Sequence, residues 1–217
     1  KVPLYNSRNF AIEKSKGNFI SFLDTDDIWD KNKLELQMPY FENPKVGMVY
    51  SNYWLIKKNK KKRRLFTKRK LPTGNIYSDL IKNYSIGILT AVIRKEFYLK
   101  LEKKFDNRYS IIGDFDFFLR LSKKCIFECI QKPLAYYRLH GGNISTIDKQ
   151  GEIQEFEIWL SENKFNLNKI DFNNLRRKVD YRKFVNYKID GDYKKCMYFL
   201  INNKINILSL KNLFIFF

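Results

Sequence analysis

Three carboxylates stand within four residues at Asp24-Thr25-Asp26-Asp27, directly after the apolar run Asn18 to Leu23 (NFISFL). In an extended segment residues i and i+2 point the same way, so Asp24 and Asp26 can share one side. Paired carboxylates in that position suit a hard divalent cation such as Mg²⁺ or Mn²⁺, which takes oxygen ligands and keeps waters and substrate phosphates in its other positions. Ligands in open α/β sheets also gather beyond the carboxyl ends of strands. A plainer reading stands beside this one, in which an Asp-rich turn caps the following helix. D-x-D alone is a weak signal; between F-I-S-F-L and Ile28-Trp29 it becomes a more specific one.

Two other carboxylates, Asp114 and Asp116, lie in Gly113-Asp114-Phe115-Asp116, and the chain has a single histidine, His140. Phosphatases of the haloacid dehalogenase type also place a nucleophilic Asp after an apolar strand, in D-x-D-x-[TV]. Here Ile28 occupies the last position, and the later acidic pair is too closely spaced. Cys125, Cys129 and Cys196 make neither a disulfide framework nor a C-x-x-C metal knuckle and fit a reducing compartment. Cys125 and Cys129, four apart, read as core residues on one face of a strand.

These groups need elements to hold them. The pattern predicts a helix from Asn6 and Ser7 to Lys16, stopped by Gly17, and then a buried strand over Asn18 to Leu23. Asp30 is a candidate N-cap for a helix carrying Leu34, Met38 and Phe41, which Pro39 shortens. Strands are expected over Val46 to Ile56 and Ile86 to Ile93, with a short helix over Asn75 to Tyr84 between them. A helix begins at Phe115, and two short strands follow over Cys125 to Ile130 and Leu134 to Leu139. From about Lys149 the pattern turns helical and polar. The alternation argues a mixed α/β domain over 1–147, followed by a helical extension over 148–217.

The 217 residues carry 42 Lys+Arg against 23 Asp+Glu, a formal charge of +19. Ten of the fourteen residues from Lys57 to Lys70 (KKNKKKRRLFTKRK) are basic, so this one stretch holds about half of the excess. It reads as a solvated hairpin tip or loop, with an anionic membrane surface as the functional alternative. Stacking aromatics are not interleaved with it, which argues against nucleic acid. The hydrophobic share of 44% excludes a disordered polybasic tail. No apolar run approaches the ~20 residues of a membrane span. The last stretch, Ile205 to Phe217 (INILSLKNLFIFF), is apolar at nine of thirteen positions and suits packing on the domain or a place in a membrane interface.

Four segments fit together in order and spacing. Ser7-Arg8-Asn9 with Ala11, then Gly17-Asn18-Phe19-Ile20, then F-L-D-T-D-D-I-W with Lys33-Leu34-Glu35 and Gln37, resembles family 2 glycosyltransferases of the GT-A fold. I-I-G-D-F-D-F-F-L-R-L is similar to the family's segment that supplies the catalytic base, and Y-Y-R-L-H-G-G-N-I-S to its Y-R-x-H-x-x-N-x-S segment. The resemblance covers about residues 1 to 147. It implies a Rossmann-like mixed sheet flanked by helices, and inverting transfer from a nucleoside-diphosphate sugar, in the first instance a UDP-sugar, to a hydroxyl of a glycan or lipid-linked acceptor. Asp114 is the implied base, with Asp116 in reserve; Asp114 also suits an N-cap. Asp24 and Asp26, joined by His140, would hold Mn²⁺ or Mg²⁺. Arg8 and Asn9 would meet the donor with Asp24 and Asp26, and Trp29 would line the sugar pocket or anchor the loop.

The departures are informative. Gly113 stands where many relatives carry Glu, and no Q-x-x-R-W segment follows, which argues against a processive polysaccharide synthase. Relatives open with a strand, a helix and a second acidic strand end that bind the base and ribose, and none of these is read before Lys1. The expectation is the later part of a catalytic domain, with an uncovered edge beside Asn18 to Leu23 and weak donor binding by itself. An inactive remnant and a basic nucleic-acid- or membrane-binding module are the competing classes. The enzyme is expected in the cytoplasm in surface-glycan assembly, in peripheral contact with the membrane through Lys57 to Lys70 and the C-terminus.

Overall fold

The computed structural model describes residues 3–57, 60–143 and 147–202, with the backbone alone for 60–62 and 202. The described residues divide into two compact units, one from the residues up to Leu80 together with Tyr84–Asn143, the other from Ile81–Asn83 with the residues after Asn143.

The first unit is a six-stranded mixed sheet with helices. Its elements are α1 (Leu4–Lys14), β1 (Phe19–Ser21), β2 (Ile28–Trp29), α2 (Lys33–Gln37), β3 (Val46–Lys57), β4 (Lys60–Leu65), α3 (Tyr77–Lys82), β5 (Val92–Arg94), α4 (Lys95–Leu99), α5 (Gly113–Ser122) and β6 (Ile126–Leu139). Strand order is β1-β5-β3-β6-β2, with β4 also on β3. Only β3 and β6 run parallel, from Val46 beside Ile126 to Lys57 beside Leu139; the other pairs are antiparallel. The apolar run of β3 is central for the reason its sequence suggests: Val46 to Tyr50 have neighbours on both faces and are almost wholly buried. Phe41, Val46, Val49 and Val92 form a core cluster against Phe19, Met38 and Ile126.

Several boundaries differ from the sequence reading. α1 begins at Leu4 behind Pro3, so Asn6 and Ser7 lie inside it and Ser7 Oγ donates back to the Pro3 carbonyl at 3.3 Å. The Ile86 to Ile93 segment is strand only from Val92; Ile88–Thr90 is a 3₁₀ turn whose Thr90 N–H bonds the Gly87 carbonyl at 2.8 Å. The two short strands after Cys125 are one, β6, bent by register shifts beside Ser51, Asn52 and Trp54, where Pro133 faces Asn52. A proline belongs at such an irregularity because it has no N–H to give the ladder. Part of the basic run is strand β4 on β3, while positions 58 and 59 of the expected tip lie outside the described residues.

α2 turns the opposite face inward from the one its leucines advertise. Leu34 and Leu36 are exposed, while Lys33 and Gln37 are buried. Gln37 Nε2 donates to the carbonyls of Val49 (3.1 Å) and Thr90 (2.9 Å), tying the helix to the sheet and to the 3₁₀ turn. Lys33 Nζ reaches Ser21 Oγ at 3.2 Å and lies 4.4 Å from the Trp29 ring centroid. Asn32, not Asp30, precedes the helix; Asp30 takes the Asn32 N–H at 3.0 Å instead.

The second unit contains α6 (Lys149–Asn163), α7 (Lys169–Ile189) and α8 (Tyr193–Asn202). Asp148 caps α6 through the Gly151 N–H (2.7 Å) and Asn168 caps α7 through the Asp171 N–H (2.8 Å). Ile153, Phe156, Trp159 and Leu160 of α6 are buried, as are Leu175, Val179 and Tyr181 of α7. The apolar stretch Ile205 to Phe217 lies outside the described residues.

Candidate active site

The loop from β1 to β2 carries the three carboxylates, and each meets a different element. Arg8 of α1 grips Asp24 with one terminal nitrogen, 2.9 Å from Oδ1 and 3.1 Å from Oδ2. Its guanidinium lies 5.3 Å from the Tyr5 ring centroid and 5.7 Å from that of Phe22, so a buried cation is satisfied by one carboxylate and two aromatic faces. Asp27 is buried and accepts the Arg138 N–H at 3.0 Å, fastening the loop to β6. Burial, with Asp26 and Asp24 nearby, pushes its carboxyl up to about 6.

Asp26 meets His140, Oδ2 to Nε2, at 2.6 Å. The Gly142 N–H donates to His140 Nδ1 at 3.0 Å, so Nδ1 carries a lone pair and the ring proton sits on Nε2, aimed at Asp26. That bond is the main cause holding the Asp26 carboxyl below its ordinary value. The His140 N–H in turn donates to Asn143 Oδ1 at 2.6 Å, which fixes the turn that presents the ring. The Asn-Ile-Ser segment seen in the sequence continues through 144–146, which lie outside the described residues.

Asp114 sits in the first turn of α5, whose N-cap is Ile112 rather than Asp114. Its Oδ2 accepts the Tyr84 hydroxyl at 2.9 Å and its Oδ1 the Phe115 N–H at 2.8 Å. The Asp114 N–H donates to the Tyr5 hydroxyl at 3.0 Å. A Cβ on Gly113 would collide with the Tyr5 ring, so the glycine leaves the space that Tyr5 fills. Burial raises the Asp114 carboxyl; the bonds from Tyr84 and Phe115 and the charge of Arg8 pull it back in part. Arg8 thus contacts Asp24 directly, and its charge is one of the lesser influences on Asp114. The buried Tyr53 hydroxyl is pushed up by desolvation and by Tyr137, Asp114 and Asp27, which sets it in the field of both acidic groups.

Other residues singled out in the sequence have different surroundings. Asp116 is buried and pairs with Arg120 at 2.7 Å, and Arg120 also holds the Lys103 and Lys104 carbonyls. Asn9 takes the Phe105 N–H (3.1 Å) and the Tyr98 hydroxyl (3.2 Å) and donates to the Phe105 carbonyl (2.9 Å), an arrangement that clamps α1 to a loop. Trp29 donates its indole N–H to the Leu89 carbonyl at 2.8 Å. Cys125 is buried and Cys129 partly so, with both thiols pushed up to about 12 by burial, as core residues should be. Tyr5, Tyr53, Tyr84 and Lys33 had no spacing signature that marked them.

A divalent cation is chemically compatible with this loop. Asp24 and Asp26 offer carboxylate oxygens, although Asp24 is turned to Arg8 and Asp26 to His140, and both His140 ring nitrogens are engaged, Nε2 by Asp26 and Nδ1 by the Gly142 N–H. Among the described residues no group of three or more His, Cys, Asp or Glu side chains is arranged to hold a metal ion. A cation placed at this loop would have to draw most of its ligands from phosphate and water oxygens.

A family model described as "Glycosyltransferase like family 2" matches residues 3–177. The chain is 29% identical over 161 residues to the UDP-Glc:alpha-D-GlcNAc-diphosphoundecaprenol beta-1,3-glucosyltransferase WfgD of Escherichia coli, covering 68% of this chain and 58% of WfgD. It is 27% identical over 218 residues to the amylovoran biosynthesis glycosyltransferase AmsB of Erwinia amylovora, covering 92% and 68%. It thus spans a little over half the length of WfgD. Among solved structures, S. aureus TarS 1-349 in complex with UDP-GlcNAc superposes with a TM-score of 0.60 at 15% identity, covering 85% of this chain and 54% of that one. The likeness is one of fold, a GT-A-like mixed α/β sheet flanked by helices.

Proposed function

Since the chain belongs to the glycosyltransferase-like family 2, we propose that it carries the acceptor-activating and diphosphate-holding part of an inverting sugar transferase. The observation that carries this reading is the geometry of the two acidic groups: Arg8 grips the acidic loop at Asp24, and Tyr84 and the Phe115 N–H hold the two oxygens of Asp114.

In this reading the acceptor hydroxyl attacks the anomeric carbon from the face opposite the diphosphate. Its oxygen forms the new C–O bond and its proton passes to the Asp114 carboxylate, while the bond to the diphosphate breaks and that group leaves with the electron pair. Tyr84 and the Phe115 N–H hold the two carboxylate oxygens in fixed directions. Arg8 and the imidazole of His140 face the charge that builds on the diphosphate. Mn²⁺ or Mg²⁺ would be held by Asp24 and Asp26, with His140 orienting Asp26 through its Nε2–H and not itself a ligand, and when bound would supply electrophilic stabilisation of that charge. Trp29, fixed through Leu89, forms one wall. Asn9 contributes through the placing of α1, and Asp116 through its pair with Arg120.

The donor class follows the relatives: TarS has been solved with UDP-GlcNAc and UDP, and WfgD by its name uses a UDP-sugar and a lipid diphosphate. We therefore read the donor as a UDP-sugar, the acceptor as a lipid-linked glycan, and the setting as cell-surface glycan assembly at the cytoplasmic face of the membrane. Among the described residues no helix is long and apolar enough to cross a membrane. The net charge of +19, concentrated at Lys57 to Lys70, favours contact with an anionic surface. The test is release of UDP from a panel of UDP-sugars, which should depend on a lipid-diphosphate acceptor; release from none of them would overturn the reading.

The base assignment carries its own prediction. Burial raises the Asp114 carboxyl, so kcat/KM should fall on the acid side at a higher pH than an ordinary carboxylate would give. The Tyr84 hydroxyl bond lowers that value. Tyr84→Phe should therefore move the acid limb to still higher pH, measured as a pH profile of kcat/KM. An unmoved limb would mean that Tyr84 is a packing residue only.

A further inference from the structure

The last described helix, α8, faces two ways. Its inner side packs on α7: Cys196 Sγ lies 3.9 Å from the Phe184 carbonyl oxygen, and the Phe199 ring meets Tyr187 edge-on at 6.0 Å. The connection is a tight turn through Gly191 at φ +70°, a left-handed conformation suited to glycine, and Asp192 takes the Lys195 N–H at 3.0 Å to start α8. On the outer side Tyr193, Met197 and Ile201 recur every four residues, so they stack along one stripe, with Tyr198 beside them. These four are 58–73% exposed, and the neighbouring Ile189 at the end of α7 is 62% exposed. Lys194 is exposed on the same side of the helix.

The composition of the face and its charge select among occupants. From Lys169 to Asn202 nine Lys and Arg stand against four Asp. A second copy of the chain would set one +19 protein against another. An anionic lipid surface is complementary to the same charge. Two tyrosines with Met and Ile are also the mixture that partitions into a headgroup region, where each ring keeps its hydroxyl wet, and Lys194 has the stem length to reach lipid phosphates. The sequence beyond α8 continues in the same character, with nine apolar residues in the thirteen from Ile205 to Phe217.

We propose that the outer face of α8 lies in the interfacial plane of an anionic bilayer and buries Tyr193, Met197, Tyr198 and Ile201 there. Attraction of basic residues to the bilayer falls as salt rises, whereas the apolar contact of α8 is not screened. This inference names a surface outside the candidate active site and does not depend on the transfer chemistry.

The experiment is co-sedimentation of the protein with phosphatidylcholine vesicles, with and without phosphatidylglycerol, at low and high salt. Wild type should bind the phosphatidylglycerol vesicles and keep part of that binding at high salt. The pair Met197→Glu and Ile201→Glu should lose the salt-resistant part by about tenfold, whereas Lys60 through Arg64 changed to Ser should lose chiefly the salt-sensitive part. Tyr198→Trp, a change at an exposed position, gives a second readout: its emission should shift to the blue on phosphatidylglycerol vesicles. Unchanged sedimentation of the glutamate variant, or no emission shift, would overturn the proposal. So would a sizing experiment in which the glutamate pair turns a dimer into a monomer while vesicle binding stays the same.

Discussion

Asp114→Asn should bind a UDP-sugar nearly as tightly as wild type and turn it over about 10²–10⁴-fold more slowly, the usual cost of losing a general base. Asparagine keeps the size of the side chain and an oxygen for the Phe115 N–H. The Tyr84 hydroxyl can rotate to accept from the new amide in place of donating to the old carboxylate. What is lost is the capacity to take a proton, so kcat should fall with the binding constant almost unmoved. Asp116→Asn is the control. Asp116 is buried against Arg120, which also holds two backbone carbonyls, so its neutralisation should lower Tm and leave kcat of the folded fraction close to wild type. If Asp116→Asn is the change that abolishes turnover, the base has been placed one step short along the motif.

Asp26→Ala should lower kcat/KM by at least about 10²-fold and remove any stimulation by Mn²⁺ or Mg²⁺. The carboxylate is the hydrogen-bond partner of His140 Nε2, so on the proposed reading its loss would remove one cation ligand and free the ring that orients it. The fold should tolerate the change, because Asp26 is half exposed and the buried member of the cluster, Asp27, continues to hold the loop to β6. Activity that persists with an unchanged metal response would remove Asp26 from the diphosphate centre. Asp24→Ala should behave differently: it strands the buried Arg8 cation, so lower stability should accompany the loss of activity.

Much of the frame could be read from the residues. Val46 to Ile56 is strand because it is apolar and β-rich over a length that suits a central position, and the carboxylates fall beyond the end of the short β1. The order of the elements followed from the apolar pattern, while Arg8, Asp24, Asp26, Asp114 and His140 were marked by the family resemblance; the structure pairs Arg8 with Asp24 and His140 with Asp26. Elsewhere tertiary contacts decided. α2 buries Lys33 and Gln37 because Ser21, Trp29, Val49 and Thr90 offer partners that come together only after folding, while its leucines face outward. β6 remains one strand through Pro133 because β3 accommodates the irregularity with register shifts. Tyr5 and Tyr84, which hold the backbone and side chain of Asp114, come from α1 and from just after α3; no local pattern ties residues 109 and 30 positions away to a carboxylate. Asn9 had the right neighbours in sequence, yet its amide is spent on Phe105 and Tyr98.

The central claim is inversion: a hydroxyl activated by Asp114 attacks opposite a departing diphosphate in a single displacement. The direct measurement is the anomeric configuration of the first product, read from proton couplings in the glycolipid made from an α-linked UDP-sugar, with UDP counted alongside. A β-linked product with one UDP released per sugar transferred is what the account predicts. An α-linked product would contradict it, because retention requires either a second displacement or attack from the leaving-group face.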